Sequence, residues 1–351
     1  MAKQTDRSIS VTWLSRRPYA DQVSMERVFS AVRDAWNHAD IELVELQLPF
    51  RSTGWWRRLA NIWWTVFNVR TDILHVTGDV NYVLPFGRAK SRVLTVHDLH
   101  HLENLRGITG WLYAQLWWRW PISCADGVIA VSKATARQLM EHGLNPRFLR
   151  VVWNPIPSLG ARSEESGSCA SSRVESGRFQ LLQIGTKPNK NLRRVIKAVA
   201  SLPVDLTVVG TVDPSRRTRL TLEAPRVVFE GRVSNQRLGE LFRNADALVI
   251  ASTTEGFGLP LIEAQASGIP VVASDIVPLR EVSGGIALFV DPLDVDSIRE
   301  GVRCLIEDEQ CRSRLGALGK KNALRYDPAH VSNLIGQFYR EILAAESSGS
   351  Q

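Results

Sequence analysis

The sequence predicts an α/β protein made of two doubly wound, Rossmann-like halves. Three observations carry this. The chain has 351 residues, a length that suits two ordinary domains better than one. Short apolar, β-rich runs alternate along it with helix-length segments, the pattern of a parallel sheet covered on both faces. That alternation stops once, at residues 158–178, and then begins again; the interruption is rich in Ser, Gly, Arg and Glu, lacks periodicity and reads as a linker.

Residues 8–14 form the first β-rich run, and residues 24–37 put Met25, Val28, Phe29, Val32 and Trp36 on one side of a helix. Residues 41–48 alternate apolar and polar, and 73–76, 93–96, 128–131 and 149–152 are short runs of buried-strand character. After the linker, 179–184 reads as a strand and 192–200 as a helix, followed by strands at 206–209 and 227–229. A helix at 238–244, a strand at 247–251, a helix at 260–266 and a strand at 271–273 continue the pattern, and from residue 295 onward the text is helical. The expected organisation is a domain over 1–157, a linker over 158–178, a second domain over 179–326, and a helix over 327–351 that packs back toward the first. Two such halves imply a cleft, with ligands at the carboxyl ends of the strands.

Composition narrows the class. With 44% hydrophobic and 23% charged residues the chain builds real cores. No apolar run approaches the ~20 residues that span a bilayer, and residues 1–10 lack the apolar centre of a secretory signal. Cys124, Cys169, Cys304 and Cys311 show neither C-x-x-C spacing nor a neighbouring His pattern, so reduced thiols in a cytoplasmic protein are expected. The net charge of +7 is lopsided: residues 1–160 hold 19 Lys and Arg against 13 Asp and Glu. All 11 tryptophans fall between Trp13 and Trp153. Nucleic acid is a poor account of this basic half, since no binding motif is present.

Residues 253–264 read TTEGFGLPLIEA and follow an apolar strand. Gly256 and Gly258 permit a tight turn and close backbone approach, and Pro260 suits a first helical turn. A glycine-rich turn that opens a helix presents free N–H groups and a partial positive charge, an anion site by construction. Glu255 precedes the helix and Glu263 lies within it, two carboxylates suited to sugar and ribose hydroxyls. A capping acid and a solvated helix residue are the plainer account of either Glu alone.

The whole string, continued by SGIPVVASD at 267–275, resembles the E-x7-E signature of retaining glycosyltransferases of the GT-B fold, the family 4 group. The resemblance implies that Glu255 contacts the donor sugar and Glu263 the ribose, while amides around Gly256, Phe257, Gly258 and Leu259 receive the diphosphate. IGTKPNKNL at 184–192 resembles the family's Gly…Lys-Asn segment, which assigns Gly185, Thr186 and Asn191 to the donor and Lys190 to its diphosphate. Thr186 stands where an Arg is often found, so a second phosphate cation is missing there; Lys187 or Arg193 are the substitutes considered. FEGRVS at 229–234 resembles the turn that touches the base, which assigns Gly231 and Val233. VLTVHD at 93–98 resembles a strand ending in His-Asp, with His97 facing the donor sugar across the cleft. VIAVSKAT at 128–135 and VWNP at 152–155 match further family segments, and the resemblance covers residues 70–345.

The loop SRRPYAD at 15–21 lacks the glycine pair of many relatives. Arg16, Arg17 and Tyr19 of this loop, with Asp98, are the acceptor-side candidates. The function expected is metal-independent, retaining transfer of a sugar from a UDP- or GDP-sugar to a hydroxyl acceptor, without a cofactor. A lipid-linked or cell-surface polysaccharide precursor, as in lipopolysaccharide, is the expected acceptor class; the sugar, base and linkage stay open. Asp294 and Asp296 spell D-x-D at an apparent helix start, where capping is the better account. A nucleotide-sugar epimerase and an inactive sugar-nucleotide-binding scaffold are the alternatives. Most of the tryptophans read as packing helices onto the sheet, whereas residues 55–58 (WWRR) fit equally a peripheral contact with an anionic membrane.

Overall fold

The computed structural model describes residues 8–18, 24–99, 102, 107–157, 177–223 and 226–349. The expected linker, Tyr19 of the acceptor-side loop and Cys169 lie outside these, apart from the linker's last two residues. The chain divides into two units, Met1–Pro155 with Pro328–Gln351, and Ile156–Asp327.

In the first unit, β1 (Ile9–Ser15), β2 (Ile41–Gln47), β3 (Arg70–Val76), β4 (Arg88–Val96), β5 (Gly127–Ala130) and β6 (Phe148–Val151) form one sheet of order β2-β1-β3-β4-β5-β6. Every pairing is parallel. Its helices are α1 (Ser24–Asp34), α2 (Trp55–Asn68), α3 (Gly107–Ala114) and α4 (Lys133–Glu141). Neighbouring strand residues divide between the two faces: Val11, Ile73 and Val93 join one core, and Leu14, Leu74 and Leu94 the other. Both faces are buried, so the strands read as apolar runs rather than as alternations. Beyond Ala114, α3 widens into a π-helical turn over Gln115–Arg119.

In the second unit, β7 (Phe179–Ile184), β8 (Val204–Val209), β9 (Val227–Gly231), β10 (Ala247–Ile250), β11 (Val271–Ser274) and β12 (Leu288–Val290) form a second parallel sheet of order β12-β11-β10-β7-β8-β9. The helices are α5 (Leu192–Val199), α6 (Pro214–Glu223), α7 (Asn235–Asn244), α8 (Leu259–Ser267), α9 (Val277–Ser283), α10 (Val295–Glu307) and α11 (Glu309–Ala323). The strand order reverses between β7 and β10. That gap is the topological switch point, where open α/β sheets hold ligands beyond the strand ends. Periodicity missed α6 because it lacks an apolar stripe; Leu220 is its one buried side chain among those described. β12 and α9 were also unmarked.

The last helix, α12 (Pro328–Gly349), belongs to the first unit. Val331, Ile335, Phe338, Tyr339 and Ile342 complete the core that holds Val11, Trp13 and Ile73. The Tyr339 hydroxyl accepts from Trp13 Nε1 at 2.7 Å and meets His75 Nδ1 at 2.5 Å. Since indole only donates, the hydroxyl proton goes to His75 Nδ1, which leaves Nε2–H to donate to Thr95 Oγ1 at 2.7 Å. Burial, with a smaller push from His97, drives the His75 pKa down to about 3, so this ring is neutral.

Six of the 11 tryptophans pack at least half inside, in line with the expectation for most of them. Trp13, Trp117 and Trp118 are buried, and Trp36, Trp64 and Trp153 half-buried. Trp55, Trp56, Trp63, Trp111 and Trp120 are exposed.

Candidate functional site

The carboxyl ends of β7 and β10 carry the strongest cluster. β10 ends at Ile250, and the chain then runs through the buried Ser252 to Glu255. Beside it, β7 ends at Ile184 and turns at Gly185 toward Lys190. Lys190 Nζ and Glu255 Oε1 form an ion pair, with side chains only 20% and 10% exposed. Ser252 Oγ donates to the same carboxylate oxygen at 2.8 Å. Glu255 Oε2 accepts no hydrogen bond among the described residues, which leaves one oxygen open to a ligand.

Two loops are stapled together to hold this pair. Thr253 N–H donates to the Asn189 carbonyl at 2.9 Å, and Asn189 Nδ2 donates to the Thr254 carbonyl at 3.1 Å. Asn191, in the left-handed region with φ 58°, donates through Nδ2 to the carbonyls of Ala251 at 2.9 Å and Pro292 at 2.5 Å. Its amide therefore fixes the loop that carries Lys190. Gly185 has φ +97°, and a Cβ there would meet Lys190 Cγ at 3.0 Å, so the lysine stem lies directly over the glycine.

The turn into α8 is the second part of the site. Gly258 caps the helix with φ +96°, ahead of Pro260 at the second helical position. The backbone N–H groups of Phe257, Gly258 and Leu259 reach no acceptor among the described residues. Consecutive unpaired donors at a helix N-terminus attract an anion. Phe257 is buried edge-on against Tyr326, with ring centroids 5.8 Å apart, which anchors the turn. Glu263 lies in the same helix and is 1% exposed.

The other second-unit candidates line the same edge. Thr186 Oγ1 donates to the Thr211 carbonyl at 2.6 Å, beyond β8. The Gly231 carbonyl, at the end of β9, accepts from Gly210 N–H at 2.7 Å, and Val233 follows half-buried. Lys187 and Arg193 are both exposed. Sequence reasoning missed Arg216, whose guanidinium donates to the Thr186 carbonyl at 3.2 Å. It also missed Ser252 and Asn189, which a strand-end Ser-x-x-Glu spacing and the loop's first Asn could have flagged. Asp294 accepts from Asp296 N–H at 2.9 Å and caps α10, as the spacing suggested.

In the first unit, the strand order turns between β1 and β3, and a cavity of about 390 Å³ opens there. Arg16, 4% exposed, lines it and pairs with Glu26 at 3.1 Å and Asp79 at 3.3 Å. Arg17 donates to the Pro49 carbonyl at 2.7 Å. His97 follows β4, its Nε2 within 3.0 Å of the Thr77 carbonyl. Burial holds its pKa below the ordinary value, against the Thr77 carbonyl and the Asp98 and Asp79 carboxylates, while Arg16 lowers it further. The structure thus brings Arg16, His97 and half-buried Asp98 to one end of this sheet, with Arg17 at the end of β2.

Family models match both halves of the chain. Residues 5–158 match the model described as Glycosyltransferase Family 4, and residues 170–322 the one described as Glycosyl transferases group 1. The O-antigen chain mannosyltransferase B of Escherichia coli is 32% identical over 157 residues, 41% of this chain and 41% of that protein. The O-antigen chain mannosyltransferase RfbU of Salmonella typhimurium is 26% identical over 260 residues, 72% of this chain and 70% of that relative. The chain thus spans less than two thirds of the first of these relatives. The crystal structure of Anabaena HepE in complex with UDP and glucose superposes with a TM-score of 0.73 at 20% identity, covering 95% of this chain and all of that one. This likeness establishes the GT-B fold.

Proposed function

The chain belongs to the group 1 glycosyltransferases with a family 4 N-terminal half, and from that premise we propose that it transfers a hexose, with retention, from a UDP- or GDP-sugar to a hydroxyl on a lipid-linked or cell-surface polysaccharide precursor. The observation that carries the reading is the joining of Lys190, Glu255 and the unpaired amides of residues 257–259 at the switch point of the second sheet. A cation, a row of N–H donors and a carboxylate with one open oxygen match a diphosphate joined to a sugar. O-antigen relatives named as mannosyltransferases support a hexose and a polysaccharide acceptor. The HepE complex supports a nucleotide-sugar donor.

In the proposed reaction the diphosphate lies on the amides of Phe257, Gly258 and Leu259. Lys190 moves from Glu255 toward the phosphate that departs, where negative charge grows as the bond breaks. Arg216 is the second cation at this edge, in the role the family pattern gives to an Arg at the position of Thr186. Glu255 holds sugar hydroxyls through Oε2, and Glu263 the ribose. The acceptor oxygen bonds to the anomeric carbon on the face that the phosphate leaves. The sugar–phosphate bond breaks with its electron pair on the diphosphate, which takes the hydroxyl proton. Lys190 and the helix terminus supply the positive field without a metal. Transfer is also proposed to depend on His97, and acceptor binding on Arg16, Arg17 and Asp98.

A thermal-shift series with UDP, GDP, ADP and their sugars tests the donor assignment, since a specific ligand raises apparent stability. One nucleotide diphosphate and its sugar should stabilise the chain, and its release should follow addition of acceptor. Stabilisation by none of them would overturn the reading.

A further inference from the structure

We propose that the outward faces of α2 and α3 dock this protein onto an anionic lipid bilayer. The inference stands on the surface of the first unit and holds whether or not the chain transfers sugar.

α2 departs from an ordinary amphipathic helix: half-buried Ile62 and Trp64 pack against the core, yet large apolar side chains also face outward. Its buried side chains include Asn61 and Thr65. Asn61 Nδ2 donates to the Phe50 carbonyl at 2.9 Å and the Tyr82 hydroxyl at 3.0 Å, and Thr65 Oγ1 donates to the Asn61 carbonyl at 2.8 Å. The outer face carries Trp55, Trp56, Leu59, Trp63 and Phe67, mostly four residues apart along one stripe. Trp56 is 69% exposed and Phe67 72%. Trp55 stacks on Trp56, and Trp63 on Phe67, so the rings form an ordered apolar surface.

The same unit carries a second stripe. Ile108, 80% exposed, is followed by exposed Trp111, Leu112, Leu116 and Trp120 on α3 and its extension. Arg58 of α2 lies 4.4 Å over the Trp117 ring of the π turn, which sets α2 beside the extension of α3. Exposed apolar groups in this number mark an interaction surface.

Charge selects the occupant. Residues 51–68 and 107–123 contain Arg51, Arg57, Arg58 and Arg119 and no Asp or Glu. A second copy would set this basic patch against itself, because a two-fold interface joins the same surface to itself. Anionic headgroups complement it, and tryptophan favours the headgroup level of a bilayer. No helix among the described residues is long and apolar enough to cross a membrane. At about 1.5 Å per residue α2 is roughly 21 Å long, so it lies in the interface.

Sedimentation of the full chain with vesicles tests this. Vesicles of phosphatidylcholine and phosphatidylglycerol in equal parts should bind it, with a blue shift of tryptophan emission, and phosphatidylcholine alone should bind it weakly. Replacing Trp56→Ser and Trp63→Ser together should lower partitioning by about tenfold or more, because two large apolar groups no longer leave water. Arg57→Glu should weaken binding to the anionic vesicles and reduce its salt sensitivity. All three side chains are exposed, so unchanged thermal unfolding and an unchanged nucleotide-induced shift serve as controls. Absence of vesicle binding, or equal binding by the Trp56/Trp63 variant, overturns the proposal. A lipid-free dimer that the same variant dissociates, seen by analytical ultracentrifugation, would assign the face to a second copy instead.

Discussion

Lys190 and Glu255 form an ion pair although 65 residues separate them in sequence, and Ser252 donates to the same carboxylate oxygen. The pair joins the ends of β7 and β10, and the two members have separable roles. Lys190→Ala removes the cation that meets the departing phosphate, so transfer should fall by about 10²–10³ and nucleoside diphosphate affinity should drop. Glu255→Gln keeps an acceptor for Ser252 and Lys190 but loses the charge; transfer should fall comparably while nucleotide affinity is retained. Titration calorimetry alongside rates checks the split, and full transfer by either variant would sink the assignment.

Gly185 ties backbone conformation to that pair. An alanine there would sit at φ +97° with its Cβ 3.0–3.3 Å from three carbons of the Lys190 side chain. The conformation costs about 1–2 kcal/mol, and Lys190 must move. Gly185→Ala should therefore lower kcat/KM more than tenfold with only a modest loss of stability. A variant with wild-type kinetics would show that the position of Lys190 is not critical.

Gly258→Ala probes the anion cradle. The glycine has φ +96°, and an added Cβ would come 2.6 Å from Leu279 Cδ2. Strain of about 1–3 kcal/mol follows, and it acts on the turn that aims the three unpaired amides. Nucleotide binding should weaken at least tenfold, read by the loss of the thermal shift. Unchanged binding would place the phosphates elsewhere.

Much of this site was legible in the sequence because it depends on backbone. Gly185, Gly258 and Pro260 are residue choices forced by turns and a helix start, so they stand out from neighbouring text. Arg216 escaped notice for the opposite reason. Its role comes from proximity across strands, and nothing local to it records which carbonyl lies opposite. The same holds for the fold. β5, β10 and β11 are buried on both faces and read as apolar runs, whereas α6, polar nearly throughout, has no period to detect. Exposed Trp63, Trp111 and Trp120 escaped notice for a related reason: aromatic residues usually pack inward, and nothing local records that α2 buries Asn61 and Thr65 beside half-buried Ile62 and Trp64.

Tyr339→Phe should destabilise the first unit. Trp13 Nε1 and His75 Nδ1 would both lose their partner within a core the protein cannot rewet. Two buried polar groups left unsatisfied cost about 2–4 kcal/mol together. All 11 tryptophans belong to this unit, so tryptophan fluorescence follows its unfolding and is blind to the other. The fluorescence midpoint in urea should fall, while nucleotide-induced stabilisation of the second unit persists. No change in that midpoint would remove the network from the account of stability.

Acidification should attack the same network. In the unfolded chain His75 titrates near its ordinary value of about 6.5, but in the folded chain burial drives its pKa down to about 3. Between those limits the unfolded state binds a proton that the folded state refuses. Stability therefore rises with pH across this window: His75's contribution is full above the unfolded value and is lost as pH falls toward 3. His97, also lowered by burial, adds in the same direction. Each histidine contributes a slope of up to about 1.4 kcal/mol per pH unit. Urea midpoints followed by tryptophan fluorescence should fall steadily from about pH 7 to about pH 5, above the range in which most carboxylates titrate. His75→Gln, though less stable at neutral pH, should show a flatter profile. An equally steep profile in that variant would move the acid sensitivity from His75 to other groups.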